Sequence, residues 1–189
     1  MENKKTFLTA IHARYRVQAM PAFMQKLNAE FAKIMSKEEF HKLVIKDKGD
    51  YRDEDTDDEI LSRAFDELYP DWMTDLERRG KFHGEHLEIY RGVSAKEFQD
   101  IDFKSLGVYW TWHKSWAANY SDQNTKLPLH VLTALVTIND IDLKETLRKI
   151  VWADIEESER EITLKPHAKI KIIDPIKREA TARLTTSKI

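Results

Sequence analysis

The spacing of apolar residues changes once along this chain, near residue 85, and that change limits the folds open to it. Before it the spacing is helical. Phe7, Leu8, Ile11 and Tyr15 recur at about one turn, as do Phe23, Leu27, Phe31 and Ile34 after Pro21. Pro21 marks a helix boundary or first-turn position, where a missing N–H costs nothing. Ser36-Lys37-Glu38-Glu39 and Thr56-Asp57-Asp58-Glu59 both have the hydroxyl-to-carboxylate spacing of a capping box. The first precedes Phe40, Leu43 and Val44; the second precedes Ile60, Leu61, Ala64, Phe65 and Leu68. Pro70 is expected to break that helix, and Asp71 to Arg79 to form another that ends near Gly80.

After residue 85 the pattern becomes short runs rich in β-branched and aromatic residues. Leu87 to Tyr90, Val108 to Trp112, Leu129 to Ile138, Glu161 to Leu164 and Lys169 to Ile173 read as strands. Short helices are expected at Ser94 to Glu97 and Lys114 to Tyr120, with one more turn at Thr146 to Lys149. The polar tail after Pro175 is expected to fray or to form one loose helix. Runs of helices followed by runs of strands predict an α+β chain. The expected parts are a helical lobe over residues 1–84, a mixed, mainly antiparallel domain over 85–175, and a tail over 176–189.

Composition removes several chemistries. There is no cysteine, so disulfides, thiolate metal sites and cysteine nucleophiles are impossible. The five glycines, at 49, 80, 84, 92 and 107, spell neither GxGxxG nor GxxxxGK[ST]. The acidic stretch Asp53 to Glu59 lacks the turn glycine and the final bidentate acid of a calcium loop, so no metal is expected there. None of the seven histidines has HExxH spacing, and His83 and His86 adjoin Gly84 in what reads as a loop. A net charge of -2 gives no overall basic field for nucleic acid, though a local patch would still serve a nucleic-acid acceptor. No apolar run is long enough for a membrane span and the first residues have no signal-peptide core, so the expected compartment is cytoplasmic, with no membrane partner.

Three blocks remain. Tyr90-Arg91-Gly92 sits at the end of a strand. Tyr109-Trp110-Thr111-Trp112 is an aromatic strand leading into a helix that carries Ala117 and Tyr120. Glu159-Arg160-Glu161 enters the strand Ile162-Thr163-Leu164, with Pro166 just beyond. Taken singly, each has a plain reading: a surface ion pair, a set of core aromatics, a solvated acidic turn. Together and in this order they resemble the R-S-E clade of the ADP-ribosyltransferases. That clade has an aromatic-Arg-Gly block, a Ser-Thr-Ser strand followed by a helix, and a Glu-x-Glu block before a strand. The resemblance covers residues 87–174. Here Trp110 and Trp112 stand where the family has serines, a version similar to some bacterial and phage members.

The resemblance implies an ADP-ribosyltransferase-like fold and NAD as co-substrate, with no metal. It also implies transfer of ADP-ribose to a macromolecular acceptor, a protein arginine side chain first of all. Arg91 would hold the pyrophosphate, since a guanidinium offers a planar and permanently charged donor fork. Gly92 would let the backbone approach the nicotinamide. Tyr109, Trp110 or Trp112 would stack on the cationic ring, with Thr111 and Tyr120 completing the cofactor set. Glu161 would stabilise the oxocarbenium-like ribose and bond its 2′-hydroxyl, and Glu159 would prepare the acceptor. In an extended segment Glu159 and Glu161 share a face. Glu157-Ser158-Glu159 offers a competing register; the later pair is preferred because Ile162-Thr163-Leu164 follows it directly. Trp152 and Ile155 are candidate target contacts. NAD hydrolysis, removal of an RNA 2′-phosphate and a non-catalytic interaction module are the other readings, and the paired acids count against the second.

Overall fold

The computed structural model describes residues 20–46, 56–119, 126–152, 160–166, 168–173 and 179–183. Their contacts divide into two compact units: the N-terminal helices up to Arg78 together with the helix that begins at Leu143, and a sheet unit built from the rest. The first helix in sequence, expected around Phe7 to Tyr15, lies outside the described residues.

In the helical unit, α1 (Ala22–Met35) starts after Pro21 and buries Phe23, Met24, Leu27, Phe31 and Met35 along one stripe. The expected capping box at Ser36 does not form. Ser36 closes α1 instead: its N–H reaches the Ala32 carbonyl at 3.2 Å and its hydroxyl the Lys33 carbonyl at 2.9 Å. The next helix, α2 (Glu38–Lys46), buries Phe40 and Val44. Thr56 does cap α3 (Asp57–Arg63), accepting from Glu59 N–H at 3.3 Å while the Glu59 carboxylate accepts from Thr56 N–H at 2.8 Å.

Pro70 does not break the run that follows. Residues Ala64–Leu68 widen into a π-helical segment, and α4 (Tyr69–Arg79) continues with Pro70 in its first turn. A wider turn just before a proline relieves the clash between its ring and the preceding turn's carbonyl. Phe31 meets Tyr69 edge-on at 5.7 Å and Trp72 at 6.0 Å, joining α1 to α4.

Among the described residues the sheet unit holds seven antiparallel strands: β1 (Lys81–His83), β2 (His86–Ser94), β3 (Tyr109–Thr111), β4 (Leu129–Val136), β5 (Glu161–Thr163), β6 (Lys169–Ile173) and β7 (Glu179–Arg183). Six of them run in the order β5-β3-β2-β4-β6-β7, and β1 pairs with β2. The architecture is α+β, as expected. β1 and β2 form a hairpin with His83 opposite His86, and Gly84 takes φ 64 in its two-residue loop, a value few side chains tolerate. Alternation sets the core face: Leu87 and Ile89 oppose Val136 and Ala134, and Ala134 opposes Ile172, all buried. Helix α5 (Lys114–Asn119) packs on β2, β3 and β4.

Three expectations are corrected here. The short helix predicted at Ser94 to Glu97 appears one step later, as a 3-10 turn at Phe98–Asp100. The single turn predicted at Thr146 to Lys149 is a ten-residue helix, α6 (Leu143–Trp152), which belongs with the helical unit. The polar tail forms β7 on β6, so it neither frays nor turns helical at residues 179–183.

Candidate functional site

The three sequence blocks lie on three adjacent strands, β2, β3 and β5. Tyr90 opposes Thr111, and Thr111 opposes Glu161, so one rung crosses all three. Residues directly opposed in antiparallel strands share a face. β2 and β3 pair only at that rung, whereas β2 and β4 pair along eight residues. Beyond Tyr90 the two strands are no longer paired, and Arg91 and Gly92 sit where that pairing ends.

Arg91 is half-buried and spans this opening with its side chain. Its Nη1 donates to the Tyr109 carbonyl. Arg91 and Gly92 line a cavity of about 270 Å³ together with Ser94, Asp100, Asp102 and Gly107. Ligand pockets commonly hold ~300–1,000 Å³, so this one has room for one moiety of a dinucleotide, not for the whole. The Asp102 carboxyl is held below its ordinary range, first by the Lys104 N–H and then by the Ser105 hydroxyl. The sequence reading named only Arg91 and Gly92 of these residues. The acids come from a loop whose approach to Arg91 no local spacing announces.

Alternation along β3 sorts its aromatics. Trp110 and Trp112 are buried, while Tyr109 is 42% exposed. Of the three candidates for stacking on nicotinamide, only Tyr109 presents an open ring. The Trp110 indole donates to the Gly107 carbonyl at 3.1 Å, and Trp112 lies 5.9 Å from the His113 ring. Neither tryptophan presents an open ring to solvent.

Thr111 links the second block to the third. Its hydroxyl donates to the Arg160 carbonyl at 2.9 Å and accepts from the His113 N–H at 3.0 Å. Arg160 has φ 47, the only positive value at a non-glycine among the described residues. Arg160, between the paired acids, is therefore not extended; Glu159, on which the expected shared face depends, lies outside the described residues. Glu161 opens β5 and is half-buried. It is not among the residues lining the Arg91 cavity. Glu157, Glu159, Ile155 and Tyr120 lie outside the described residues. Trp152 is in the helical unit, at the end of α6.

A polar cluster missed by the sequence reading lies on the Tyr90 face. Tyr90 is buried and its hydroxyl donates to Glu88. Lys81 Nζ reaches the same carboxylate at 3.2 Å and His83 Nε2 at 3.1 Å. Burial pushes the Glu88 carboxyl up, but the hydrogen bonds from Tyr90, His83 and Lys81 outweigh it and hold the group below its ordinary value. Burial and the Glu88 bond together raise the Tyr90 phenol. Period-2 spacing of Glu88 and Tyr90 was the available signal; the hairpin that adds Lys81 and His83 was not legible.

The chain matches no family model, no curated protein and no solved structure. No described helix is long and apolar enough to cross a membrane, and no described group of side chains could hold a metal ion.

Proposed function

We propose that the sheet unit handles an anionic nucleotide and cleaves a glycosidic bond in it, which makes the protein a glycosyl-transfer enzyme. More particularly, we read it as a mono-ADP-ribosyltransferase that takes ADP-ribose from NAD, releases nicotinamide and modifies a macromolecular acceptor, a protein arginine first of all. One observation carries this reading. Blocks far apart in sequence lie on three neighbouring strands, where Tyr90, Thr111 and Glu161 form one rung and Arg91 and Gly92 follow Tyr90 just beyond it.

In this reading Arg91 takes the pyrophosphate at the mouth of the cavity, and Tyr109 offers its ring to the nicotinamide. Glu161 lies two strand spacings from Tyr90, roughly 9–10 Å, a span that an extended dinucleotide covers. Its carboxylate then stabilises positive charge on the ribose as the nicotinamide bond breaks. Glu159 is assigned to the acceptor by the family pattern alone.

A second reading has its own support. Arg91 lines a cavity that Glu161 does not, which suits a non-catalytic module that kept the fold. Nicotinamide release from NAD, measured with and without candidate acceptors, separates the readings. The enzyme reading expects release by the wild-type chain and none from a folded Glu161→Gln variant. Release that no acceptor changes identifies a glycohydrolase. Absence of NAD binding in wild-type calorimetry leaves only the module.

A further inference from the structure

Gly107 has no backbone need to be glycine. Gly84 is the described glycine with positive φ; Gly107 is not. What distinguishes Gly107 is what a side chain there would strike. A Cβ would stand 2.8 Å from Arg91 Nη2, 3.2 Å from Cζ and 3.4 Å from Nη1. These three nearest atoms belong to one guanidinium, at the far end of a flexible side chain. A methyl group at position 107 would therefore move the guanidinium and leave the backbone in place.

Two further bonds fix the surface on which that guanidinium lies. The Tyr109 carbonyl accepts from Arg91 Nη1, and the Gly107 carbonyl accepts from the buried Trp110 indole at 3.1 Å. The indole holds the Gly107 carbonyl, and the guanidinium occupies the space a Cβ at 107 would need. Resting on the reading of Arg91 as the anion-binding residue, we propose that Gly107, its carbonyl held by Trp110, is a seat that aims the Arg91 guanidinium at the cavity. Gly107 and Trp110 are then positioning residues for the ligand's phosphates. A serine in place of Trp110 could not reach the same carbonyl from the core while filling the space beneath it, which gives the tryptophan at this position a physical role.

The test uses the full chain with labelled arginine, in wild type and in Gly107→Ala, Arg91→Ala and the double variant. Guanidinium NMR reads the seat without any ligand. Arg91 N–H signals, assigned by their loss in Arg91→Ala, should be resolved in wild type and shifted or exchange-broadened in Gly107→Ala at an unchanged thermal midpoint. NAD titration reads the consequence. Gly107→Ala should weaken binding roughly 10-fold or more, the scale of one hydrogen bond to a charged group. The double variant should bind no more weakly than Arg91→Ala, because both changes act through one side chain.

Should alanine lower the thermal midpoint, Trp110→Phe keeps a buried ring, removes the indole N–H and gives the same two readouts. Arg91 signals unchanged in both variants overturn the seat. Shifted signals in a protein that never binds NAD uphold the seat and overturn the NAD reading on which its purpose rests.

Discussion

The Thr111 hydroxyl reaches the Arg160 carbonyl at 2.9 Å across 49 residues of sequence, and so ties the middle of one block to the middle of another. The same oxygen accepts from the His113 N–H at 3.0 Å, so the turn into α5 shares the anchor. The hydroxyl thereby adds a side-chain tie to the backbone ladder that pairs Thr111 with Glu161 at the start of β5. Thr111→Val keeps the shape and removes both bonds. The expected cost is about 1–2 kcal/mol of stability, read by urea unfolding. On the proposed transferase reading, loss of this tie at the entry to β5 should lower nicotinamide release roughly 10- to 100-fold, while Thr111→Ser retains most of it. Full turnover in the valine variant would show that Glu161 is placed by something else.

Arg160 itself is the next test. At φ 47 a side chain with a free Cβ is strained by ~1–2 kcal/mol, and a β-branched one more so. Arg160→Val should therefore lower stability by about 1–2 kcal/mol. Arg160→Gly should leave it level or slightly higher, since relief of strain and the added freedom of the unfolded chain nearly cancel. Chemical denaturation of both variants decides the matter. Equal losses in the two would mean that the Arg160 side chain, not its backbone, matters at this turn.

How far the sequence reached follows from which signals are local. Alternation in Lys169 to Ile173 gave a strand that the structure shows over that span, and the Thr56–Glu59 box formed because its partners lie one turn apart. Ser36 has the same spacing, but its hydroxyl found the nearer Lys33 carbonyl, a competition inside one turn that a motif cannot settle. Pro70 was misread because the chain widened into a π turn ahead of it. β7 was invisible because the apolar positions of Glu179-Ala180-Thr181-Ala182-Arg183 are alanines, small and poor strand formers, and its pairing comes from β6. In the site, residue types and block order were legible. Which β3 aromatic faces outward was not, since period 2 fixes alternation but leaves the choice of face to the register with β2 and β5. Gly107 gave no signal at all, because its partner Arg91 meets it only once the strands are folded.

Acid should loosen the β1–β2 hairpin through Glu88. Its carboxyl is held below the ordinary value of 4.5 by bonds from Tyr90, His83 and Lys81 that outweigh burial. A depressed carboxylate contributes stability above its unfolded value, and that contribution is lost as pH falls through the folded one. Wild-type thermal midpoints should therefore drop as pH falls below about 4.5 and this contribution is lost. Glu88→Gln should be less stable at neutral pH and flatter over the acid range. An identical acid slope in the two proteins would place the titrating group elsewhere.

In the helical unit, Phe31 is the residue whose loss should cost most. It is fully buried, lies edge-on to Tyr69 at 5.7 Å and to Trp72 at 6.0 Å, and so joins α1 to α4 at its centre. Phe31→Ala removes a ring that neighbours cannot replace, and the expected loss is ~3–5 kcal/mol. That is a large part of the roughly 5–15 kcal/mol that holds a domain folded. Tyr69→Phe is the milder control. It keeps the edge-on contact and removes only the hydroxyl that donates to Asn28 Oδ1 at 2.8 Å, so about 1 kcal/mol should be lost. Since Phe31 and Tyr69 touch, a double variant with alanine at both positions should lose less than the two single alanine losses added, by about 0.5–1.5 kcal/mol if the ring pair carries energy beyond burial. Strict additivity in urea unfolding would mean that the two rings contribute through buried area alone.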